Sequence, residues 1–117
     1  MVSQWLQEYE KVSRLKLSTV GRRTGRKHEV MIDFVVDGGR VFVTGAKSGR
    51  DWMKNALKNP NVEVAIEERK TQMRAERISS EETRSKVEKL FKTKYRISAR
   101  LLRLARRGSV VFELKSA

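Results

Sequence analysis

The segment "HEVMIDFVVDGGRVFVTGA" (His28–Ala46) decides the fold of this 117-residue chain. Apolar residues occupy every second position of its first half, which predicts a half-buried strand over His28–Asp37. The apolar residues that share one face of this strand are Val30, Ile32, Phe34 and Val36. The glycines of Asp37–Gly39 permit the positive φ of a hairpin turn, and Arg40–Ala46 then returns as the partner strand. The segment therefore predicts an antiparallel hairpin.

Four further strands and four helices are predicted around this hairpin. The strands are Leu15–Val20, Val62–Ile66, Thr71–Ile78 and Ser109–Lys115, and the helices are Val2–Arg14, Asp51–Lys58, one that begins at Ser79, and Ile97–Arg107. Asp51 is placed to cap the second helix, and Ser79 with Glu82 matches a capping box for the third. Because most strands follow one another through hairpins and no βαβ unit recurs, we predict an α+β fold that is mainly β. It is a single domain over residues 1–117, a six-stranded, mostly antiparallel sheet or small barrel with flanking helices.

The composition favours an anionic partner and excludes several kinds of site. Lys and Arg number 27 against 14 Asp and Glu, which gives a formal net charge of +13. The chain has no cysteine and one histidine, so disulfides and thiolate sites are excluded and we expect no metal site. The N-terminus lacks the apolar core of a signal peptide, and no apolar run is long enough to span a membrane. We therefore expect a cytoplasmic protein without a membrane partner.

Two basic turns are candidate anion-binding sites. The first is "GRRTGRKH" (Gly21–His28), in which backbone N–H groups and arginine side chains can face a phosphate. The second is "TGAKSGRDW" (Thr44–Trp52), which leads into a helix N-terminus, where N–H groups and the helix dipole favour anions. The candidate binding residues in these turns are Arg22, Arg23, Thr24, His28, Lys47, Ser48 and Arg50. Each turn is also typical of a polar, solvated loop.

A third basic feature supports an alternative function. Four arginines in and directly before the predicted helix Ile97–Arg107 would lie as a stripe on one face of that helix. They are spaced three or four residues apart, and residues with this spacing are neighbours on a helix surface. They are Arg96, Arg100, Arg103 and Arg107. Together with the net charge, the stripe is compatible with a basic nucleic-acid-binding domain, although a solvated helix face has the same pattern. No recognition signature is present and the aromatic residues are scattered, so we expect no specific nucleic-acid partner.

Three blocks of the sequence resemble the deazaflavin-dependent nitroreductase family, a branch of the split β-barrel flavin and deazaflavin oxidoreductases. They are "LSTVGRRTG" (Leu17–Gly25), "DGGRVFVTGAKSG" (Asp37–Gly49) and "WMKNALKNPNVEV" (Trp52–Val64), in the family's order. The third block is the most specific, through Trp52, Asn55 and Asn59–Pro60. The resemblance extends over about residues 17–78 and again over the final strand. It implies a six-stranded split β-barrel that is often dimeric, so we expect a homodimer.

The resemblance also implies an activity, the transfer of a hydride between a reduced deazaflavin, coenzyme F420, or alternatively FMN, and a small organic acceptor such as a quinone or nitro compound. By position, Arg23 matches a cofactor-binding cation and His28 a basic residue that enters the next strand. Ala46 and Lys47 match a Ser-Lys pair, and Trp52 matches a tryptophan near the ring system. Tyr95 is the candidate proton donor. The phosphate and polyglutamate tail of the deazaflavin suit a charge of +13 better than FMN does.

The chain departs from the family pattern at the second turn and near its C-terminus. Only "SGRD" separates Lys47 from Trp52, where the family has a longer loop that contains His-Pro. Ala46 lacks the serine hydroxyl, Met53 replaces a tyrosine, and Lys27 replaces a proline. The aromatic-rich C-terminal substrate region is also missing. These differences leave open a flavin-binding barrel without catalysis.

Overall fold

The computed structural model describes residues 9, 11–38, 40–45, 51–95 and 110–116. In chain order its elements are β1 (Leu15–Val20), β2 (Lys27–Ile32), β3 (Phe34–Asp37), β4 (Arg40–Gly45), α1 (Asp51–Lys58), β5 (Asn61–Ile66), β6 (Arg69–Ile78), α2 (Glu81–Tyr95) and β7 (Val110–Ser116). The described chain is mainly β, as the sequence predicts. No helix within these ranges is both long and apolar enough to cross a membrane.

The strands form one curled sheet. Its order is β2-β1-β5-β6-β7-β4-β3, and all the described pairings are antiparallel. The two edge strands, β2 and β3, are consecutive in the chain and are separated only by Asp33. The prediction of one continuous strand over His28–Asp37 is therefore wrong. The first part of this segment pairs with β1, and the second part pairs with β4. Counted as one bent strand, it restores the six strands predicted from the sequence.

The interior of the barrel is filled by the inward faces of the strands and by one side of α1. The predicted alternation holds on both sides of Asp33, since Phe34 and Val36 are buried in this core and Val30 and Ile32 pack against it. α1 adds Trp52, Met53 and Ala56, so this short helix covers one end of the barrel. The other buried side chains of this core are Leu15, Leu17, Val41, Val43, Val62, Val64, Ile66, Met73, Ala75, Phe112 and Leu114.

α2 packs on the outside of the barrel and forms a second, smaller core. Val87 and Phe91 of the helix contact apolar residues on the outer face of the sheet, which are Val35, Phe42, Ile78 and Val111. The helix begins at Glu81, and Ser80 Oγ accepts a hydrogen bond from the Thr83 N–H at 3.4 Å. The cap is therefore Ser80 and not the predicted Ser79. The capping-box pattern favoured Ser79 because Glu82 follows it by three residues, but helix ends often differ from such a pattern by one residue.

Three other predicted elements differ from the structure or lie outside it. Residues 11–14 are not helical, so the predicted helix Val2–Arg14 is wrong at its C-terminal end, and its other residues except Tyr9 lie outside the described chain. Residues 96–109, with the arginine stripe and the helix Ile97–Arg107, also lie outside it. β6 begins at Arg69 rather than at Thr71, because Glu67 adopts a φ of 56° and closes a two-residue turn without a glycine.

Candidate functional site

The basic turn between β1 and β2 is compact because two glycines permit its backbone path. The Gly21 N–H donates to the Arg26 carbonyl at 2.7 Å, and the Gly25 N–H donates to the Gly21 carbonyl at 2.8 Å. Gly25 has a φ of 72°, which favours glycine. A Cβ at Gly21 would lie 2.9 Å from Thr24 Oγ1 and 3.0 Å from the backbone carbonyl oxygen of Arg26. The turn therefore needs glycine at both positions, and it leaves Arg23 and Arg26 exposed to solvent.

A buried carboxamide joins this turn to α1. Asn55 is 3% exposed, and its Oδ1 accepts hydrogen bonds from the Arg22 backbone N–H at 3.1 Å and from Arg22 Nη1 at 2.9 Å. Asn55 Nδ2 donates to Thr19 Oγ1 at 3.2 Å, inside the barrel end. Arg22 Nη2 also donates to Asp51 Oδ1 at 3.3 Å, at the first residue of α1. The turn and the helix are thus held together through Arg22.

The described candidates from the first turn gather at this end of the barrel. Arg23 and Thr24 are exposed, and Thr24 Oγ1 accepts from the Arg26 N–H at 3.2 Å. His28 is half-buried and lies opposite Thr19 in the β1–β2 register. Of the second turn, Ala46, Lys47, Ser48 and Arg50 lie outside the described residues.

Trp52 is a core residue in this structure. Its side chain is 6% exposed, and its ring packs on Phe112 at a centroid distance of 5.6 Å. Asp51 is the first residue of α1 and not the residue before it, so its carboxylate faces Arg22 from inside the first turn. Both residues therefore help to attach α1 to the barrel.

Carboxylates on the outer face of the sheet compensate one cation of the basic segment. Lys27 Nζ lies 3.2 Å from Glu63 Oε1 and 3.5 Å from Glu29 Oε2. The hydrogen bond with Glu63 is the main cause that raises the pKa of Lys27. Lys16, 3.6 Å from Glu29, is the main cause that lowers the pKa of that carboxyl group. Because Arg22 is likewise paired with Asp51, the positive charge that the described contacts leave uncompensated in the turn comes from Arg23 and Arg26.

Tyr95 lies at the opposite end of the β1–β2 hairpin. Its hydroxyl accepts from the Phe34 N–H at 2.9 Å and lies within hydrogen-bond distance of the carbonyls of Phe34 and Ser13, at 2.9 and 2.8 Å. Ser13 precedes β1, whereas the basic turn follows β1, so the length of the strand, roughly 17 Å, separates them. The structure does not bring Tyr95 together with Arg22, Arg23 and Arg26 of the basic turn. Its hydroxyl instead secures β3 next to Asp33, where the chain changes its pairing partner.

We expect Tyr95→Phe to make the protein's stability less dependent on pH under alkaline conditions. Burial is the main cause that raises the pKa of Tyr95 to about 12. An unfolded tyrosine ionises near pH 10, so between about pH 10 and 12 the unfolded state loses this proton first and the stability of the native state falls. Urea unfolding midpoints measured across this range should fall less steeply in the variant. Equal slopes in the two proteins would contradict the prediction.

The described residues do not include a group of three or more acidic, histidine or cysteine side chains that could hold a metal ion.

A comparison with known proteins identifies the family to which this chain belongs. Residues 2–108 match the family described as F420H(2)-dependent quinone reductase. The chain belongs to this family. This confirms the resemblance drawn from the three sequence blocks, and it places the chain among deazaflavin-dependent oxidoreductases.

Solved structures similar to this F420H(2)-dependent quinone reductase family member show its fold. A conserved hypothetical protein of Mycobacterium tuberculosis matches with a TM-score of 0.80 at 14% identity, over 99% of this chain and 81% of that one. An F420-H2 dependent reductase matches at 0.71 and 22% identity, over 89% and 95%. The heme storage protein HutZ of Vibrio cholerae matches at 0.75 and 18% identity, over 100% and 92%. The predicted split β-barrel is confirmed.

Sequence reasoning missed the part that Asn55 plays in this site. From the sequence, Asn55 was identified only as part of the block Trp52–Val64 that resembles the family, and no role was predicted for it. A usable signal was present, because Asn55 follows Asp51 by four residues and the two must therefore share one face of α1. That both of them face Arg22 becomes apparent only from the contact between the helix and the turn.

Proposed function

We propose that this protein uses a reduced deazaflavin coenzyme to reduce a small organic acceptor, of which a quinone is the best-supported class. The observation that carries the proposal is the family match over residues 2–108. The net charge of +13 supports the deazaflavin rather than FMN, because the deazaflavin carries a phosphate and a polyglutamate tail.

The residues at the turn-and-helix end of the barrel fit such an anion. Arg23 is exposed on the turn between Gly21 and Gly25. Arginine side chains bind phosphates and carboxylates through paired, charge-assisted hydrogen bonds. His28 is half-buried at the start of β2, next to this turn. Lys47, Ser48 and Arg50 precede Asp51, whose side chain contacts Arg22. We therefore propose that the two basic segments converge on one anionic tail.

The protein's own contribution to the reaction is binding and orientation. A bound reduced deazaflavin supplies the hydride, so no protein nucleophile is required. The cations at the barrel end hold the phosphate and carboxylates, and the rigid attachment of α1 fixes where those cations lie. The buried Trp52 and Phe112 keep water out of the barrel beneath the helix.

Two expectations taken from the resemblance stay predictions. The first is that the protein forms a homodimer. The second is that Tyr95 donates a proton to the reduced product. For this role the acceptor must reach the Tyr95 end of the hairpin, whereas the basic turn with Arg22, Arg23 and Arg26 lies at the other end.

Calorimetric titration with coenzyme F420 and with FMN tests the proposed function. We expect tighter binding of F420, followed by reoxidation of its reduced form when a soluble quinone is added with the protein. FMN binding of equal or greater affinity would overturn the choice of cofactor. Binding of neither cofactor would overturn the proposed oxidoreductase. Binding of F420 without turnover of any quinone or nitro compound would identify a barrel without catalysis.

We expect Arg23→Ala and Lys47→Ala each to weaken F420 binding by about 1–3 kcal/mol, the scale of one hydrogen bond to a charged group. The melting temperature of the cofactor-free protein should change little for Arg23→Ala, because that side chain is exposed. Lys89→Ala, at an exposed position of α2, is a control that removes the same charge away from the turn. If Lys89→Ala weakens binding as much, the effect comes from net charge and not from this site.

A further inference from the structure

We propose that Asn55 is a positioning residue. Its hydrogen bonds hold Arg22 against α1, and this orients the neighbouring Arg23 toward the anion. Arg22 itself binds Asn55 and not the anion. This inference rests on the proposed function, since it concerns the same end of the barrel. It assigns to two residues a role that neither the sequence nor the family match gives them.

The first argument is the completeness of the hydrogen bonding around Asn55. Its oxygen accepts two hydrogen bonds from Arg22, one from the backbone and one from the guanidinium group, and its nitrogen donates to Thr19. Asn55 and Thr19 are both buried. Among the described residues, no buried side-chain nitrogen or oxygen is left without a partner. Because an unpaired buried amide is costly, the carboxamide has one favoured orientation, and that orientation specifies where the backbone of residue 22 lies.

The second argument is the freedom that the turn would otherwise have. Residues 22–24 lie between Gly21 and Gly25, and glycine restricts the backbone less than any other residue. Two backbone hydrogen bonds close the turn and the pairing of Val20 with Lys27 holds its base, but these contacts do not attach residues 22–24 to α1. The contacts of Arg22 with Asn55 and Asp51 supply that attachment, from a helix that is packed into the core.

The third argument separates the roles of the two neighbouring arginines. The Arg22 side chain is half-buried, and its guanidinium group donates to Asn55 and to the carboxylate of Asp51, which compensates its charge. Arg23 is exposed on the same turn. Because the direction of Arg23 depends on the backbone of residue 22, a change at Asn55 should act on the anion through Arg23.

A pair of probes tests this idea in the full chain. One probe is coenzyme F420, and the other is the deazaflavin fragment that lacks the phosphate and the glutamate tail. Asn55→Ala should weaken F420 binding roughly tenfold, which corresponds to about 1.4 kcal/mol, and should leave fragment binding within about twofold. In a double-mutant cycle, Arg23→Ala should weaken F420 binding far less in the Asn55→Ala background than in the wild-type protein.

The outcomes separate this inference from the proposed function. If the wild-type protein binds neither probe, both fail. If it binds F420 and Asn55→Ala weakens both probes equally, Asn55 has a general structural role and the inference is overturned while the proposed function stands. Additive effects of Asn55→Ala and Arg23→Ala would overturn it as well.

A second variant covers the case in which Asn55→Ala does not fold. Thr19→Val removes the oxygen to which Asn55 Nδ2 donates, so the carboxamide loses the partner that fixes its orientation and its hydrogen bonds with Arg22 should weaken. A loss of affinity confined to F420 would support the positioning role. An unchanged ratio of F420 affinity to fragment affinity would overturn it.

Discussion

We expect Trp52→Ala to lower the free energy of unfolding by about 3–5 kcal/mol, the range measured when a large aromatic side chain is removed from a core. Trp52 is 6% exposed and packs on Phe112, in the same core as Met53 and Ala56. Its removal leaves a cavity between α1 and the barrel. Urea or thermal unfolding of the cofactor-free protein measures the loss.

Two control variants show what the Trp52→Ala result means. Trp52→Phe keeps an aromatic ring in the core and should restore a large part of the stability. Leu57→Ala, on the exposed side of the same helix, should change the stability by less than about 0.5 kcal/mol. A loss of less than about 1 kcal/mol for Trp52→Ala would contradict the packing described here. After a large loss, weaker cofactor binding by this variant could not be interpreted as a lost contact with the cofactor.

We expect Arg40→Ala to cost about 2–3 kcal/mol of stability, mainly because it leaves a buried carboxylate without its partner. Arg40 Nη2 and Nε donate to the two oxygens of Glu113 at 2.6 and 3.0 Å, and Glu113 is 5% exposed. Glu113 also lies directly opposite Glu76 in the β6–β7 register. Without the guanidinium group, two carboxylates face each other on neighbouring strands, and one of them is shielded from water.

The neighbouring ion pair provides a matched control for Arg40→Ala. Lys115 Nζ lies 2.7 Å from Glu76 Oε2, on the same face of the sheet, but both side chains are well exposed. Lys115→Ala should therefore change the unfolding midpoint much less than Arg40→Ala does. Adding Glu113→Gln to Arg40→Ala should recover part of the loss, because the buried charge is then removed. Equal effects of Arg40→Ala and Lys115→Ala would show that burial of Glu113 does not control the cost.

Much of the fold could be predicted because its signals are local. The bounds of α1 follow from a helical pattern that stops at Asn59–Pro60, and they agree with the structure. The alternation over His28–Asp37 correctly assigned the faces of β2 and β3. The β5–β6 turn was predicted two residues too long because Glu67 takes a positive φ that is uncommon for a residue with a side chain. The capping serine was predicted one residue too early, because Glu82 completes a capping-box pattern with Ser79 whereas the helix uses Ser80.

The candidate site was predictable as a set of cations but not as an arrangement. The sequence places Arg22, Arg23 and Lys27 together in one basic turn. In the structure Lys27 is paired with Glu63, a residue 36 positions away, and Arg22 is paired with Asp51 and Asn55 on α1. Only Arg23 of these three is left facing solvent without a described partner on the barrel. Residue type identifies a charge, but its partners depend on strands and helices that are distant in the chain.

The sequence by itself determined which side of each strand faces the core and which family the chain resembles. Both follow from information along the chain, since side chains alternate across a strand whatever strand lies beside it. Only the tertiary structure decided that the strand His28–Asp37 changes partner at Asp33 and so closes the barrel, and that Asn55 ties the basic turn to α1. Pairing partners and buried hydrogen bonds arise between residues far apart in sequence. Neither alternation nor residue type specifies which of the available partners is chosen.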